Sequence, residues 1–257
     1  MNGVHHRFIS PSYGASVSTR RLTGATVLAL VLAVFAGSCG SSQKKPAASS
    51  KSRHAGFTAH VTNPWYPLPP GSVWVYRGIK DGEPAREVMT ATHRTRTIDG
   101  AQCVVVSDLL YLKGRLEERT TDWYTQDPKG NVWYFGERTA ELDARGHVKN
   151  TSGSWLAGRE GAEPGIFMFT HPTVGRSARQ EYYQGQAEDH FQVLRLNGSV
   201  KVPFITTRQA LLTKEWTPLE PGVIDHKYYV RGVGTVLERT AKGPLERNEL
   251  VSFRPNG

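Results

Sequence analysis

Residues 95–106 read Thr95-Arg96-Thr97-Ile98-Asp99-Gly100-Ala101-Gln102-Cys103-Val104-Val105-Val106. Residues with β-branched side chains lie on both sides of the Asp99-Gly100 pair, and such residues are enriched in strands. An Asp-Gly pair also tolerates the left-handed backbone that a two-residue hairpin turn requires. The stretch therefore predicts two antiparallel strands that are joined at Asp99-Gly100.

Strand-like runs separated by turn residues continue on both sides of this hairpin. The segment Asp127-Pro128-Lys129-Gly130-Asn131 predicts a turn, and Asn197-Gly198 predicts a second hairpin. The best helix candidate is residues 175–190, which Gly185 interrupts. We therefore predict a mostly β fold. A single antiparallel meander forms a long curved sheet or an incomplete barrel, with few short helices.

The meander is assigned to a single β-rich domain over residues 57–257. This range holds all six tryptophans, whereas residues 39–56 hold no large apolar side chain and are predicted to be a flexible tether. Several glycines make residues 139–187 look irregular, and we expect this region to cover one end or one face of the sheet.

Residues 1–38 are predicted to be a signal peptide. An apolar run from Ala25 to Gly37 follows a pair of arginines and is shorter than the roughly 20 residues that span a bilayer. The run ends in Ala36-Gly37-Ser38-Cys39, which resembles the lipobox of bacterial lipoproteins. That resemblance implies cleavage before Cys39, lipidation of its thiol and, through the lipid, a palmitate-type membrane anchor. Plain secretion and an uncleaved signal anchor are the alternatives.

The net charge of +9 is concentrated in the N-terminal region. Residues 1–53 carry seven basic residues and no acid, so residues 54–257 carry 25 basic and 23 acidic residues. The domain is therefore predicted to be close to neutral, which argues against nucleic acid as a partner.

Aromatic residues occupy both faces of one predicted strand. Successive side chains of Trp133-Tyr134-Phe135 point to opposite sides, because side chains alternate along a strand. Either other chain segments cover both faces, or one face lines a pocket for a lipid, a glycan or another apolar ligand. Core packing is the interpretation that we favour, and Trp123, Trp133 and Phe135 are the candidate ligand-binding residues if a pocket exists.

No residue is assigned a catalytic role, and neither a metal nor a cofactor is predicted. The sequence holds no nucleophile elbow and no glycine-rich phosphate loop. His190, His226, Glu188 and Asp189 would form a metal site only if the fold brought them together. Cys103 precedes a run of valines and is predicted to be a buried structural thiol.

Three aromatic phrases are distinctive: residues 63–74, 122–137 and 215–222. Together they resemble a group of uncharacterised secreted bacterial proteins. With the lipobox-like signal, the resemblance implies an uncharacterised family of β-rich envelope lipoproteins, and it implies no reaction.

The sequence thus predicts a lipoprotein of the cell envelope, anchored to the membrane by lipid and facing outside the cytoplasm. Its β-rich domain is expected to bind an apolar or sugar-like ligand or another envelope protein. A structural or interaction module without a small-molecule pocket is one alternative, and an envelope hydrolase is another.

Overall fold

The structure, a computed structural model, describes residues 54–256. The predicted signal peptide, Cys39 and residues 39–53 of the predicted tether lie outside the described residues. The fifteen strands are β1 (Val73–Lys80), β2 (Glu83–Ile98), β3 (Ala101–Leu112), β4 (Arg115–Gln126), β5 (Val132–Leu142), β6 (Val148–Asn150), β7 (Trp155–Leu156), β8 (Glu163–Met168), β9 (Ser177–Arg179), β10 (Glu181–Tyr182), β11 (His190–Lys201), β12 (Thr206–Trp216), β13 (Ile224–Val230), β14 (Gly234–Lys242) and β15 (Arg247–Arg254).

These strands form one antiparallel sheet in the order β10-β8-β5-β4-β3-β2-β1-β15-β14-β13-β12-β11-β9, and β6 and β7 also pair with β5. The order follows the chain from β1 to β5 and from β11 to β15, because most neighbours are joined by short hairpin turns. Pairing of β1 with β15 joins these two meanders. The prediction of an antiparallel meander that forms a curved, barrel-like sheet is confirmed.

One short segment brings the two ends of the sheet together. Strand β9 pairs with β11, and β10, which follows after Gln180 alone, pairs with β8. A Cβ atom on Gly165 of β8 would overlap the carbonyl oxygen of Arg179 and the backbone of Gln180. We call the contact of residues 177–182 with β8 the seam. The sheet is consequently a nearly closed barrel.

The Asp99-Gly100 hairpin is confirmed. Both residues have positive φ angles, 44° and 81°, and Ile98 pairs directly with Ala101. The Lys113-Gly114 pair, with φ angles of 50° and 80°, turns the chain in the same way between β3 and β4. Left-handed backbone angles at both central residues therefore define these two turns of the first meander.

The hairpin predicted at Asn197-Gly198 is wrong. Gly198 lies inside β11, where it pairs with Ala210 between two register shifts. The chain turns instead at Pro203-Phe204, and Val202 and Ile205 exchange backbone hydrogen bonds of 2.9 and 3.2 Å across that turn. Proline presets the backbone angle of the first turn position, which gives this site the advantage.

The best helix candidate, residues 175–190, forms no helix, and residues 54–256 contain none, so the few short helices that were predicted are absent from this range. Backbone groups of Ser177–Arg179 pair with β11, so they are unavailable for helical hydrogen bonds. Gly185, with a φ angle of 69°, lies in a tight turn closed by bonds between Tyr183 and Ala187. Sheet pairing and this turn satisfy the backbone hydrogen-bonding groups of the segment better than an isolated helix of marginal propensity would.

Residues 61–68 cross one end of the barrel, and we call them the cap. The side chain of Asn63 donates to the carbonyl of Gly130 at 2.8 Å, and the carbonyl of Pro64 accepts from Gly232 at 2.8 Å. Tyr66 packs on Phe167, with ring centroids 4.6 Å apart. The cap thus ties the β4–β5 turn to the β13–β14 turn.

The packed chain already includes the residues just before the predicted domain boundary at 57. The His54 ring is buried, and its centroid lies 5.0 Å from that of Phe135. Its Nε2 atom lies 3.2 Å from a carboxylate oxygen of Asp99.

Candidate functional site

Strand alternation sorts the charged side chains of the barrel between interior and surface. The buried acids are Glu87, Asp108, Glu118, Asp122, Asp127, Glu137, Glu181, Glu215, Glu238 and Glu246, whereas Lys80 and Lys227 are the buried lysines. Of the 25 basic and 23 acidic residues in 54–257, 23 basic and 13 acidic residues therefore remain outside the buried set. The near-neutral composition of the domain conceals a strongly positive exterior, which the sequence analysis did not foresee.

A buried ion-pair network lies at the centre of the second meander. The Nζ atom of Lys227 lies 2.9 Å from a carboxylate oxygen of Glu215 and 3.6 Å from one of Glu238. The Tyr229 hydroxyl donates to Glu215 at 3.0 Å. Burial alone would lower the pKa of Lys227, but the two carboxylates hold that pKa well above its usual range. This network fixes β12, β13 and β14 relative to one another.

Burial also raises the pKa values of several other acids. Burial, together with the neighbouring Asp108, raises the pKa of Glu87 well above its usual range, and Asn248 donates to Glu87 at 2.6 Å. Burial raises the pKa of Asp189 to about 8 and that of Glu246 to about 7. Asp189 and Glu246 therefore titrate near neutral pH.

The candidate site is a pocket on the outer face of the first meander, with a volume of about 360 Å³. It lies between the outer faces of β2, β4 and β5 and the segment that includes β7, and we call it the Trp123 pocket. It is lined by Arg96, Trp123, Glu137, Arg138, Ser154, Trp155, Leu156, Arg159, Glu160, Ala162 and Tyr183. Volumes of this order are usual for small-molecule sites.

A β-bulge shapes the floor of the Trp123 pocket. Pairing of β4 with β5 shifts between Asp122 and Tyr124, where Gly136 has a φ of 134°. The Tyr134 hydroxyl donates to Asp122 at 2.7 Å inside the barrel. Because the bulge changes the alternation, Arg138 faces outward toward the pocket. A Cβ atom on Gly136 would overlap the carbonyl of Trp155, so glycine allows β7 to approach.

Three arginines give the pocket a positive rim. The guanidinium carbon of Arg96 lies 4.4 Å from the centre of the Trp123 ring. None of Arg96, Arg138 and Arg159 forms an ion pair with an acid among residues 54–256. Glu160, which also lines the pocket, accepts a hydrogen bond from the Tyr183 hydroxyl at 2.7 Å. Guanidinium groups without acidic partners are well suited to bind carboxylate, phosphate or sulfate.

The three residues predicted to bind ligand do not lie together. Trp123 lines the pocket, whereas Trp133 and Phe135 lie on another part of the outer face, beneath the first described residues. Phe135 is fully buried against His54 and Phe57, and the Trp133 ring lies 5.7 Å from that of Phe57. Chain segments therefore cover both faces of the strand at Trp133 and Phe135, as the core-packing interpretation expects.

The histidines and the thiol considered in the sequence analysis are placed elsewhere. His190 stacks on Trp216 at 5.5 Å, and His226 pairs with Lys214 on the neighbouring strand. In the part of the chain that the structure describes, no three His, Cys, Asp or Glu side chains are grouped to hold a metal ion. Cys103 is buried, as predicted, and burial raises the pKa of its thiol to about 12.

Sequence reasoning missed Trp155, Tyr183 and the three arginines of the pocket. Trp155 donates to Glu181 at 2.6 Å, which joins the pocket wall to the seam. These residues come from separate strands and from the glycine-rich region, so no local spacing links them. One signal for Arg96 was present in the sequence. In Thr95-Arg96-Thr97 an arginine alternates with threonines ahead of a hairpin, which indicates that Arg96 lies on the outer face of its strand.

No helix among the described residues has the length and apolar character needed to cross a membrane.

No protein-family model matches the sequence, and no curated protein matches it. Among solved structures, the chain resembles a candidate exported protein with a YmcC-like fold from Bacteroides fragilis NCTC 9343, at 12% identity and a TM-score of 0.42, over 74% of this chain and 98% of that one. It also resembles a candidate lipoprotein from Parabacteroides distasonis ATCC 8503, at 11% identity and a TM-score of 0.38, over 74% of this chain and 97% of that one. Likenesses this low identify neither a family nor a function.

Proposed function

We propose that this protein is an envelope lipoprotein whose barrel domain binds an anionic, ring-bearing ligand, such as an acidic sugar, in the Trp123 pocket. The observation that carries the proposal is the meeting of Trp123 with Arg96, Arg138 and Arg159 in one concave site, where none of the arginines has an acidic partner among the described residues.

The aromatic and cationic parts of the pocket favour different parts of such a ligand. Tyr183 offers a partly exposed ring against which a sugar ring can pack, and Trp123, which is 4% exposed, supports Arg96 from below. The guanidinium groups offer paired donors to a carboxylate or phosphate. The positive exterior of the barrel adds long-range attraction for an anion, which speeds encounter and weakens as salt is added.

Binding is tested by calorimetry with glucuronate as the probe, and glucose serves as the uncharged comparison. We expect glucuronate to bind and glucose to bind at least tenfold more weakly, because a hydrogen bond to a charged group contributes about 1.5–3 kcal/mol. Arg138→Gln should weaken glucuronate binding tenfold or more. Arg145→Gln is the matched control, since Arg145 is an exposed arginine in the β5–β6 turn and does not line the pocket. Equal affinity of the two sugars, or equal losses in the two variants, would contradict the proposal.

The envelope part of the proposal rests on residues 20–39, where an apolar run leads to Ala36-Gly37-Ser38-Cys39. A lipidated Cys39 would hold the barrel at a membrane through residues 40–53. The parent protein should therefore sediment with membranes, and Cys39→Ala should be released or remain unprocessed. Recovery of the parent entirely in the soluble fraction would refute lipidation without bearing on the pocket.

A further inference from the structure

We propose a second binding site, for an anionic amphiphile, at the capped end of the barrel. A cavity of about 490 Å³ is lined there by Trp65, His171, Pro172, Leu196, Thr207, Gln209, Val230 and Arg231. We call it the Trp65 pocket. It shares no lining residue with the Trp123 pocket, so it is a separate site.

The cap holds Trp65 firmly in the wall of this pocket. The side-chain oxygen of Asn63 accepts from the Trp65 backbone at 2.9 Å, and the carbonyl of Pro64 accepts from Gly232 at 2.8 Å. Trp65 is 4% exposed, and the guanidinium carbon of Arg231 lies 4.2 Å from its ring centre. Because two turns anchor the cap, the indole is positioned before any ligand arrives, which lowers the entropic cost of binding.

The polar groups of the pocket call for a hydrogen-bond acceptor. The indole Nε1 of Trp65 is buried and donates to no residue in 54–256. Arg231 forms no ion pair with the acids of that range, and no acidic residue lines the pocket. An indole N–H and a guanidinium are both donors without acceptor capacity. An anionic head group would pair with Arg231, and His171, Thr207 and Gln209 line the rest of the polar surface.

One part of the remaining wall is apolar. Pro172, Val230 and Leu196 line the pocket, and Leu196 keeps 41% of its surface exposed although it borders a concave site. A ligand with an aliphatic segment would cover this apolar surface and remove it from water. The combination of a donor-rich head position and an aliphatic wall therefore favours a carboxylate or phosphate with an apolar tail over a free sugar or a free inorganic anion.

The test uses decanoate as the probe, with decanol and inorganic phosphate as comparisons that each lack one part of the amphiphile. Calorimetry on the full-length chain should show that decanoate binds. Decanol and inorganic phosphate should each bind at least tenfold more weakly. Phosphatidylglycerol vesicles, compared with phosphatidylcholine vesicles, show whether a membrane lipid can present the same head group. Decanoate binding without vesicle binding would assign the site to a free amphiphile, and vesicle binding would assign it to a lipid head group. Absence of both, or equal binding of decanoate and decanol, would overturn the proposal.

Variants separate this site from the Trp123 pocket. Arg231→Gln should weaken decanoate binding tenfold or more, whereas Arg208→Gln, an exposed arginine outside the pocket, should not. Leu196→Ala should weaken the binding of decanoate without changing thermal stability, since 41% of the Leu196 surface is exposed. Arg138→Gln should leave decanoate binding unchanged, and Arg231→Gln should leave glucuronate binding unchanged. Equal effects of Arg231→Gln and Arg208→Gln would refute the site even if glucuronate binds elsewhere.

Discussion

Substitution of Gly165 by alanine should open the seam of the barrel. Gly165 lies in β8 opposite Tyr134 of β5, and its backbone φ is not left-handed, so alanine causes no backbone strain there. The added methyl group would nevertheless overlap the carbonyl of Arg179 and the backbone of Gln180. A backbone segment cannot swing aside as a flexible side chain can, so residues 179–181 must move away from β8.

The contacts at the seam set the cost of this movement in the free energy of unfolding. Overpacking a tight site costs about 1–3 kcal/mol. The bond from Trp155 to the buried carboxylate of Glu181, 2.6 Å long, would be strained or lost, and a bond to a charged group contributes about 1.5–3 kcal/mol. The chain can relax and so avoid part of the overpacking cost or part of the loss of the Trp155–Glu181 hydrogen bond. We therefore expect the free energy of unfolding to fall by about 3 kcal/mol. For a domain of this size that corresponds to a fall of roughly 6–12 °C in Tm.

Urea unfolding at fixed pH measures the loss, and hydrogen exchange locates it. Amides of residues 177–182 should exchange faster in Gly165→Ala than in the parent. Gly161→Ala is the matched control, because Gly161 has a φ of 81° but nothing within 4 Å of the added methyl, so it should cost only about 1–2 kcal/mol of backbone strain. If Gly165→Ala is no more destabilising than this control, the backbone at residues 179–180 does not pack on β8 and the barrel is not closed there.

Three further outcomes are expected. The urea midpoint should fall as pH rises from about 5 to 8. The pKa values of Asp189, about 8, and Glu246, about 7, are raised in the folded state, which therefore holds protons that the unfolded chain releases. A midpoint that rises over this range would contradict the burial of these two acids. Cys103 should not react with a disulfide reagent at pH 8 until the protein is unfolded, because its thiol is buried and its pKa is about 12; rapid labelling of the native protein would show an open β3. Trp133→Ala should cost about 1–2 kcal/mol and Trp74→Ala about 3–5 kcal/mol in urea unfolding, since Trp133 is only partly buried whereas Trp74 is 1% exposed. Equal losses would mean that Trp133 is as deeply packed as Trp74.

Local chemistry made the fold class predictable. Asp99-Gly100 turns the chain where the sequence predicts, because two residues with left-handed backbone angles suffice to define that hairpin. Asn197-Gly198 has the same local preference but lies within β11, since its position opposite Ala210 is decided by pairing with the next strand, β12, and by the turn at Pro203. A local turn signal decides the structure only where no tertiary contact competes with it.

The candidate site was less accessible to sequence reasoning than the fold. Trp123 was identified because large aromatic side chains are informative individually. Arg138 faces the pocket because of the bulge at Gly136, Arg159 lies in the glycine-rich region, and their convergence depends on the pairing of β7 with β5. The burial of acids such as Glu87 and Glu238 could not be anticipated either, because composition does not say which face of a barrel a charged residue occupies.

The sorting of charge between the two faces of the barrel has a consequence for chromatography. A cation-exchange resin interacts with the charges that a molecule presents at its surface, and the folded domain presents 23 basic against 13 acidic residues. Unfolding in urea would bring the ten buried acids into contact with the same resin and nearly cancel the excess. We therefore expect the native domain to elute at distinctly higher salt than its unfolded form, so that retention on the column itself reports whether the barrel is folded.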